Sequence, residues 1–321
     1  MIKQSPLVFV PYLKTVIWGG DKICKYKGIE QREPQIGESW EISVVPGHES
    51  VVNNGDYKGK ALTTLIEEFG EDLLGKKVVN KYGKKFPLLI KFIDANDNLS
   101  VQVHPDDTLA MERHGSLGKS EMWYIIATDQ NSKIYSGLKV EMTPKEYVKR
   151  VEDGTFAETL AVHDSKPGDV YFLPAGRVHA IGAGNLLAEI QESSDITYRI
   201  YDYNRVDSNG NPRELHTEQA KDAIDYRVYK DYKSEVPSEN QELAELVRCE
   251  HFTTYRLNLR GDGELTMDGN SFVVLICLQG DVMVRCKEGK VRLTQGHTAL
   301  IPAKVEKVIL SGNAKILTSK V

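Results

Sequence analysis

The sequence predicts a mostly β fold made of two related jelly-roll domains, the first of which carries helical insertions. Through most of the chain, short runs of β-branched and aromatic residues alternate with Gly, Pro, Asn and Asp, a pattern typical of antiparallel strands joined by turns. The length of 321 residues exceeds the usual size of one hydrophobic core. One segment also recurs later in the chain, which indicates two related domains.

The recurring segment defines the two domains. Residues 168–179 align without gaps with residues 296–307, and both copies contain a Pro-Ala pair after an initial glycine. Between them, residues 230–242 are polar and contain Ser, Pro and Glu, as is typical of a linker. We therefore predict a first domain over residues 1–240 and a small second β domain over residues 241–321.

Helical patterns interrupt the first domain. Apolar residues recur at helical spacing from Leu62 to Leu73, and residues 143–146 (Thr-Pro-Lys-Glu) combine a capping box with proline at the first helical position. A third helix is predicted over residues 217–224. In the second domain, short strands joined by Gly-bearing turns are predicted over residues 253–259, 272–278, 282–286, 291–293, 299–301 and 307–310.

The composition limits the partners. The formal net charge is -5 and the basic residues are scattered among acidic ones, so we expect no nucleic-acid partner. No apolar stretch is long enough to cross a membrane, and the N-terminus lacks the three regions of a signal peptide, so a cytoplasmic protein without a membrane partner is expected. The four cysteines form no Cys-x-x-Cys pair and are predicted to be reduced. The expected partner is a small molecule, and the expected state is a monomer or homodimer.

A metal-binding motif lies in the first copy of the repeat. From Gly168 to His179, the pattern Gly-x5-Pro-x-Gly-x2-His fits the second sequence motif of the cupins, in which the turn glycine aims the histidine into the barrel. In the second copy, Lys304 replaces that glycine and Lys307 replaces the histidine. Because an ammonium group is not a metal ligand, the sequence predicts two cupin-like domains with one metal ion per chain, bound in the first.

Further ligands are predicted upstream of His179. Residues 99–104 alternate as a strand, which places Gln102 and His104 on one face, and Glu121 stands where a polar stretch becomes apolar. Each residue alone is ordinarily a hydrogen-bonding or solvated group, and it is their joint pattern that favours a metal site. Nitrogen and oxygen ligands suit zinc, with manganese or cobalt as alternatives. A dication held by one carboxylate polarises a carbonyl or stabilises an oxyanion, which points to proton-transfer chemistry on sugars.

Several longer segments carry a family resemblance. They are residues 18–20 (Trp-Gly-Gly), 37–41 (Gly-Glu-Ser-Trp-Glu), 100–107 (Ser-Val-Gln-Val-His-Pro-Asp-Asp), 119–124 (Lys-Ser-Glu-Met-Trp-Tyr), 174–182 and 189–199. In these segments the chain resembles the type I mannose-6-phosphate isomerases, specifically the short bacterial form, over nearly its whole length. The resemblance implies a zinc-dependent enzyme that interconverts mannose 6-phosphate and fructose 6-phosphate through a cis-enediol. It implies that the zinc ligands are Gln102, His104, Glu121 and His179.

The resemblance also implies roles for two cations. Arg199 corresponds to the active-site arginine, and Lys119 to a lysine beside the metal-binding glutamate. The long form of the family has a histidine immediately before that lysine, whereas this chain has Gly118. The identity of the proton carrier is therefore left open.

The chemistry needs a base, an electrophile for the carbonyl oxygen, and cations for the phosphate. The candidates for the base are Glu189, which lies on an alternating strand, and Lys119. For each of them, a purely structural role as an ion-pair partner is an equal alternative. Arg199 can bind phosphate or the enediolate through its planar fork, whereas Lys91 is a weaker phosphate candidate. Ser100 shares a strand face with Gln102 and is predicted to bind substrate.

Two other functions compete with an isomerase. One is a non-catalytic sugar-binding cupin that keeps its metal as a structural element. The other is a different metal-dependent cupin enzyme acting on sugars, such as an oxidoreductase that activates dioxygen. A neutral glutamine ligand and nearby cations for a phosphate fit an oxidoreductase less well.

Overall fold

The computed structural model describes residues 1–206 and 210–321. Antiparallel strands dominate it. In chain order the strands are β1 (Phe9–Val10), β2 (Tyr12–Gly20), β3 (Ile36–Ile42), β4 (Val51–Val52), β5 (Leu88–Ala95), β6 (Val101–Val103), β7 (Glu121–Thr128), β8 (Lys133–Leu138), β9 (Leu160–Asp164), β10 (Val170–Leu173), β11 (His179–Ile181), β12 (Asn185–Glu192), β13 (Tyr198–Tyr201), β14 (Leu243–Arg248), β15 (Thr253–Thr266), β16 (Val273–Cys286), β17 (Gly289–Thr294), β18 (Thr298–Ile301) and β19 (Lys307–Lys320).

The helices are short. They are α1 (Lys22–Lys27), α2 (Leu62–Phe69), α3 (Glu71–Leu74), α4 (Lys76–Tyr82), α5 (Asp107–His114), α6 (Pro144–Glu152) and α7 (Thr217–Ala223). Single 3-10 turns cover Gly55–Tyr57 and Phe156–Thr159. Within residues 1–206 and 210–321, none of the helices has the length and apolar character that a membrane crossing needs.

Two antiparallel sheets build the first part of the fold. One has the strand order β10-β7-β12-β5-β3-β2 and the other the order β13-β6-β11-β8-β9. The central strands β5 and β12 are buried along their whole length, as expected for strands that are covered on both faces. Trp18, Ile93, Trp123 and Ile181, contributed by both sheets, pack in one apolar cluster. This packing brings β7 of one sheet close to β6 and β11 of the other.

The C-terminal strands form a third sheet. Its order is β14-β15-β19-β16-β17, with β18 paired to β16. This sheet has an apolar cluster of its own, but it also joins the core of the first part, where the rings of Phe86 and Phe272 stack with centroids 4.6 Å apart. The predicted mostly β fold, with helices inserted before residue 224 in the described ranges, is confirmed.

Glycines explain where element boundaries differ from the sequence prediction. The helix predicted from Leu62 to Leu73 is divided into α2 and α3 because Gly70, at φ 45°, breaks it. The strands predicted over residues 272–278 and 282–286 are one strand, β16. Gly280 lies within that strand at φ 76°, and a Cβ there would lie 2.1 Å from the carbonyl oxygen of Asn313. This glycine permits a bend and a close strand approach, not a turn.

The capped helix forms as predicted. α6 begins with Thr143 as its cap, and the side chains of Thr143 and Glu146 close a reciprocal capping box. α7 corresponds to the third predicted helix. By contrast, α1, α4 and α5 were not predicted from the sequence, because each is about two turns or fewer and lacks a sustained apolar period.

Candidate metal centre and active site

Three of the predicted metal ligands converge between the two sheets of the first part. His104 follows β6, Glu121 opens β7 and His179 opens β11. Nε2 of His179 lies 3.2 Å from Oε1 of Glu121, and Nε2 of His104 lies 3.6 Å from Oε2. All three side chains are buried. Two imidazole nitrogens and a carboxylate at this spacing form a group that can hold a metal ion.

Main-chain carbonyls orient both imidazoles. Nδ1 of His104 lies 2.9 Å from the carbonyl oxygen of Ile196, and Nδ1 of His179 lies 2.8 Å from that of Arg177. When Nδ1–H donates to the carbonyl, Nε2 keeps a lone pair that faces Glu121. Burial lowers the pKa of both histidines, to about 3 for His179. Both rings are therefore neutral at pH 7, as metal ligation requires.

The environment of Glu121 calls for a cation. Both carboxylate oxygens are buried, and neither accepts a hydrogen bond. Burial, followed by the nearby Glu189 carboxylate, raises the pKa of Glu121 to about 7, and the Lys119 ammonium, 3.4 Å away, partly offsets its charge. One ammonium at 3.4 Å only partly compensates a buried carboxylate that faces two imidazole lone pairs, so binding of a further cation is favourable. These residues therefore fit a divalent metal ion.

Gln102 lies beside the same group. In the sheet it is directly opposite His179 on one side and Arg199 on the other. Its Nε2 atom is 3.3 Å from Nε2 of His179. A half-turn of the amide presents its oxygen in place of its nitrogen, and that oxygen can act as a ligand. All four predicted metal ligands are thus neighbours.

A cavity of about 390 Å³ opens beside this centre. That volume suits a small ligand. Its lining includes the ligand candidate Gln102 and every residue predicted to bind substrate or catalyse, namely Lys91, Ser100, Lys119, Glu189 and Arg199. Lys119 is next to the metal group, with its ammonium 3.1 Å from Nε2 of His104.

Carboxylates surround Lys91 in the cavity wall. Its ammonium lies 3.2 Å from Oε1 of Glu189 and 3.6 Å from Oε2 of Glu38. Burial by itself disfavours the charged lysine, yet the two carboxylates hold the pKa of Lys91 above its usual value. Burial likewise disfavours ionised Glu38, but Lys91 and Lys14 hold its pKa at about 2. The Lys91 charge is therefore already balanced by acids.

Arginines dominate another part of the wall. Arg199, on β13, has a buried Nε atom for which the described part of the chain provides no hydrogen-bond partner. Arg213 contacts Asp202 through Nε at 2.6 Å and Nη2 at 2.5 Å, and Arg205 reaches the same carboxylate at 2.5 Å. Burial, and then repulsion from Arg213, lowers the pKa of Arg199. Two guanidinium groups, those of Arg205 and Arg213, share the buried carboxylate of Asp202, whereas Nη1 of Arg199 donates to the carbonyl oxygen of Glu214 at 2.9 Å.

Sequence reasoning missed several residues of the wall. Glu38 and Trp40 lie in the segment 37–41 that carries the family resemblance, but no role was assigned to them. Trp40 Nε1 donates to Oε2 of Glu38 at 2.6 Å, so their i, i+2 spacing on β3 was the available signal. Arg213 lies outside any regular element, where no periodicity indicates its direction.

Gly118 stands where the long form has a histidine, and the backbone leaves no room for a side chain there. Its N–H donates to Oδ1 of Asp107 at 2.7 Å. A Cβ would lie 2.6 Å from the main-chain nitrogen of Asp107 and 2.7 Å from the carbonyl carbon of Asp106. A histidine therefore does not fit at this position without a shift of the backbone.

The C-terminal copy of the motif has a lysine, Lys307, at the position that corresponds to the ligand candidate His179. Lys304 reaches Asp72 at 3.2 Å and Lys307 pairs with Glu264 at 2.8 Å, so both are ion-pair partners. Among the described residues, Asp107, Glu192 and His251 form one further group of potential ligands. Glu192 Oε2 in that group already accepts the N–H of Ser120 at 2.7 Å, and Oε1 faces Nδ1 of His251 at 3.0 Å. We interpret this group as an ion pair.

Comparisons with known proteins identify the family of the chain. Family models for the catalytic domain of type I phosphomannose isomerase and for the cupin domain of mannose-6-phosphate isomerase match residues 8–151 and 242–321, respectively. The chain is 35% identical to the putative mannose-6-phosphate isomerase YvyI of Bacillus subtilis, with 99% of both chains covered, and 34% identical to ManA of that organism, with 98% covered. The crystal structure of mannose 6-phosphate isomerase from Bacillus subtilis superimposes with a TM-score of 0.88 at 34% identity, covering 99% of this chain and 100% of that one. The chain belongs to the type I mannose-6-phosphate isomerase family and is an isomerase, as its sequence motifs predicted.

Proposed function

We propose that this protein interconverts mannose 6-phosphate and fructose 6-phosphate through a cis-enediol, with one zinc ion per chain. The observation that carries the proposal is a buried group of two neutral histidines and a carboxylate without hydrogen-bond donors, next to a cavity lined by cations. The relatives from Bacillus subtilis are named mannose-6-phosphate isomerases, which supports the choice of substrate.

Zinc is the proposed ion because its usual ligands in proteins are imidazole nitrogens and carboxylate oxygens. His104, Glu121 and His179 would hold it, with the Gln102 amide oxygen as a fourth ligand. When bound, a zinc ion supplies a Lewis acid that polarises the sugar carbonyl.

Two cavity-lining side chains, Glu189 and Lys119, are our candidates for carrying the proton between C1 and C2. Glu189 is fixed by Trp123, whose Nε1–H donates to Oε2 at 2.8 Å, and by Lys91 at Oε1. Lys119 lies against the metal group. We propose that these two groups share the proton transfers. Glu189, the more firmly held of the two, is suited to the carbon proton and Lys119 to the oxygen atoms near the metal.

The enediol proposal is tested by turnover of mannose 6-phosphate in deuterated water without oxygen. We expect fructose 6-phosphate that carries solvent deuterium at C1, observed by NMR, because a proton held by Glu189 or Lys119 exchanges with solvent. Product that stays free of deuterium after the reaction has cycled many times at equilibrium would contradict the enediol, because even a base that mostly returns the same proton exchanges it occasionally. No turnover by the metal-loaded protein would favour a non-catalytic sugar-binding cupin, and turnover that requires dioxygen would favour an oxidoreductase.

The phosphate is proposed to bind at the arginine end of the cavity. A phosphate dianion near Lys91 would also meet Glu38 and Glu189, which repel it. Near Arg199 it meets a guanidinium group whose buried Nε has no hydrogen-bond partner among the described residues, with the Arg213 guanidinium in the same wall. Planar guanidinium groups also match the geometry of phosphate oxygens.

Two variants separate these positions. Replacing Arg213 by Met should raise KM for mannose 6-phosphate on the order of tenfold, because a hydrogen bond to a charged group is worth about 1.5–3 kcal/mol. Lys91→Met should act mainly on kcat through its neighbour Glu189. Steady-state kinetics with inorganic phosphate as a competing ligand measure both effects. If KM instead rises more in Lys91→Met than in Arg213→Met, the phosphate binds beside Lys91 and not beside the arginines.

We also propose the division into residues 1–240 and 241–321, and a cytoplasmic location. The division is supported by pairing, because β14 to β19 form a sheet of their own. The isolated bridge between Leu7 and Leu300 crosses the boundary, as does the shared core at Phe272, so the two units pack tightly.

A further inference from the structure

Glu192 forms hydrogen bonds with the main chain of the segment that carries Lys119 and Glu121. The N–H of Ser120, the residue between them, donates to Oε2 of Glu192 at 2.7 Å, and the N–H of Glu192 donates to the carbonyl of Ser120 at 3.1 Å. Ser120 Oγ also accepts the N–H of Ala175 at 3.3 Å, in the turn that leads to His179. The carboxylate of Glu192 therefore fixes the chain on which one metal ligand and one catalytic candidate lie.

The other oxygen of Glu192 reaches the C-terminal sheet. Oε1 of Glu192 lies 3.0 Å from Nδ1 of His251, and the two groups form an ion pair without the alignment of a hydrogen bond. Oδ2 of Asp107 lies 4.0 Å from the same nitrogen. His251 stands in the turn between β14 and β15. Glu192 is 2% exposed, so without His251 this oxygen would be a buried charge without a partner. Burial disfavours protonation of His251, but Glu192 and Asp107 outweigh it and raise its pKa.

We propose that His251 is a positioning residue: through Glu192 and Ser120, the C-terminal unit holds Glu121 and Lys119 in the geometry that the metal centre and the reaction need. The part of this inference that concerns catalysis rests on the proposed function, whereas the part that concerns metal affinity does not. It assigns to the C-terminal unit a role in the active site although that unit contributes no residue to the cavity lining.

The position of the Glu192–His251 ion pair favours a role in positioning the metal centre over a role that only stabilises the contact between the two units. Lys304 and Asp72 also pair across the same boundary, at 3.2 Å, but neither touches Ser120, Glu121 or the cavity. Lys304→Ala is therefore a matched control, because it removes one interdomain ion pair and leaves the support of the metal centre intact.

The test compares His251→Ala with Lys304→Ala in the full-length, metal-loaded protein. Residues that support metal ligands typically change metal affinity or activity by about 10- to 100-fold, so we expect His251→Ala to weaken zinc binding and to lower kcat on the order of tenfold, with KM changed less than about twofold. Zinc release to a chromogenic chelator gives the affinity and does not require that the protein be an isomerase. Lys304→Ala should change neither quantity.

Conservative variants complete the test. His251→Lys keeps a cation opposite Glu192 and should restore part of the zinc affinity. If the alanine variant does not fold, His251→Gln, which removes the cation but keeps a side chain of similar size, takes its place and should show the same losses. Unchanged zinc release and kcat in a folded His251→Ala protein would overturn the proposal. Equal losses in His251→Ala and Lys304→Ala would also overturn it, because they would indicate general loosening between the two units. A second zinc ion in the parent that disappears with His251 would show that the group is a metal site.

Discussion

Replacing Glu121 by Gln is expected to lower kcat/KM by on the order of a thousandfold or more and to reduce bound metal well below one ion per chain. Glu121 is the one carboxylate of the ligand group, and both of its oxygens are buried without hydrogen-bond donors. Losing it removes the charge that holds the ion, and with it several kcal/mol of transition-state stabilisation. Steady-state kinetics and elemental analysis measure the two losses together.

The pH dependence of zinc binding should differ between the parent protein and Glu121→Gln. Burial and Glu189 raise the pKa of Glu121 to about 7, so below pH 7 protons compete with the metal for this carboxylate. Zinc affinity of the parent should therefore increase as the pH rises through about 7, and this part of the dependence should be absent from Glu121→Gln. Glu112→Gln, an exposed position on α5, should behave as the parent. A variant at Glu121 that keeps full metal and activity would show that the carboxylate is not a ligand.

Arg199→Ala is expected to lower kcat by on the order of 100-fold or more while the zinc content and the fold persist. Arg199 lies directly opposite the ligand candidate Gln102, and its buried Nε has no hydrogen-bond partner within residues 1–206 and 210–321. A preorganised guanidinium stabilises negative charge that develops in the transition state more strongly than it stabilises the substrate. If it also holds the phosphate, KM should rise as well.

The lysine variant distinguishes charge from geometry. Arg199→Lys should restore little activity, because a point charge lacks the planar fork that binds two oxygens. An ordinary surface ion pair at Arg199 would contribute no more than about 1 kcal/mol of stability and leave turnover intact. Near-normal kcat/KM in a folded, zinc-loaded Arg199→Ala protein would therefore exclude a catalytic role.

Local sequence patterns predicted much of the fold because they correspond to local physics. The capping box at Thr143 and the alternation around Arg199, where β13 residues are buried and half-buried in turn, both appear in the structure. Gly70 and Gly280 were harder to interpret. A glycine indicates either an unusual backbone conformation or a close approach of another chain segment, and the neighbouring sequence does not show which of the two applies. For this reason one helix was predicted too long and one strand was predicted as two.

The candidate site was predictable where a motif links residue types to one chemistry. His179 was found through the Gly-x5-Pro-x-Gly-x2-His pattern, and Gln102 and Glu121 through their joint fit with it. Arg213 was missed because it reaches the cavity from an irregular segment, a tertiary relation that no periodicity encodes. The distinction between Lys91 and the arginines was also hidden, because it depends on the carboxylates that neighbour each cation in space.

The most direct test of a metal-dependent isomerase is activity as a function of bound zinc. Protein stripped with a chelator and verified to be metal-free should not convert mannose 6-phosphate to fructose 6-phosphate. Adding zinc should restore turnover in proportion to occupancy, with a plateau at one ion per chain, because Lys304 and Lys307 leave the C-terminal copy of the motif without ligands. Full turnover by the verified metal-free protein would contradict the proposed chemistry.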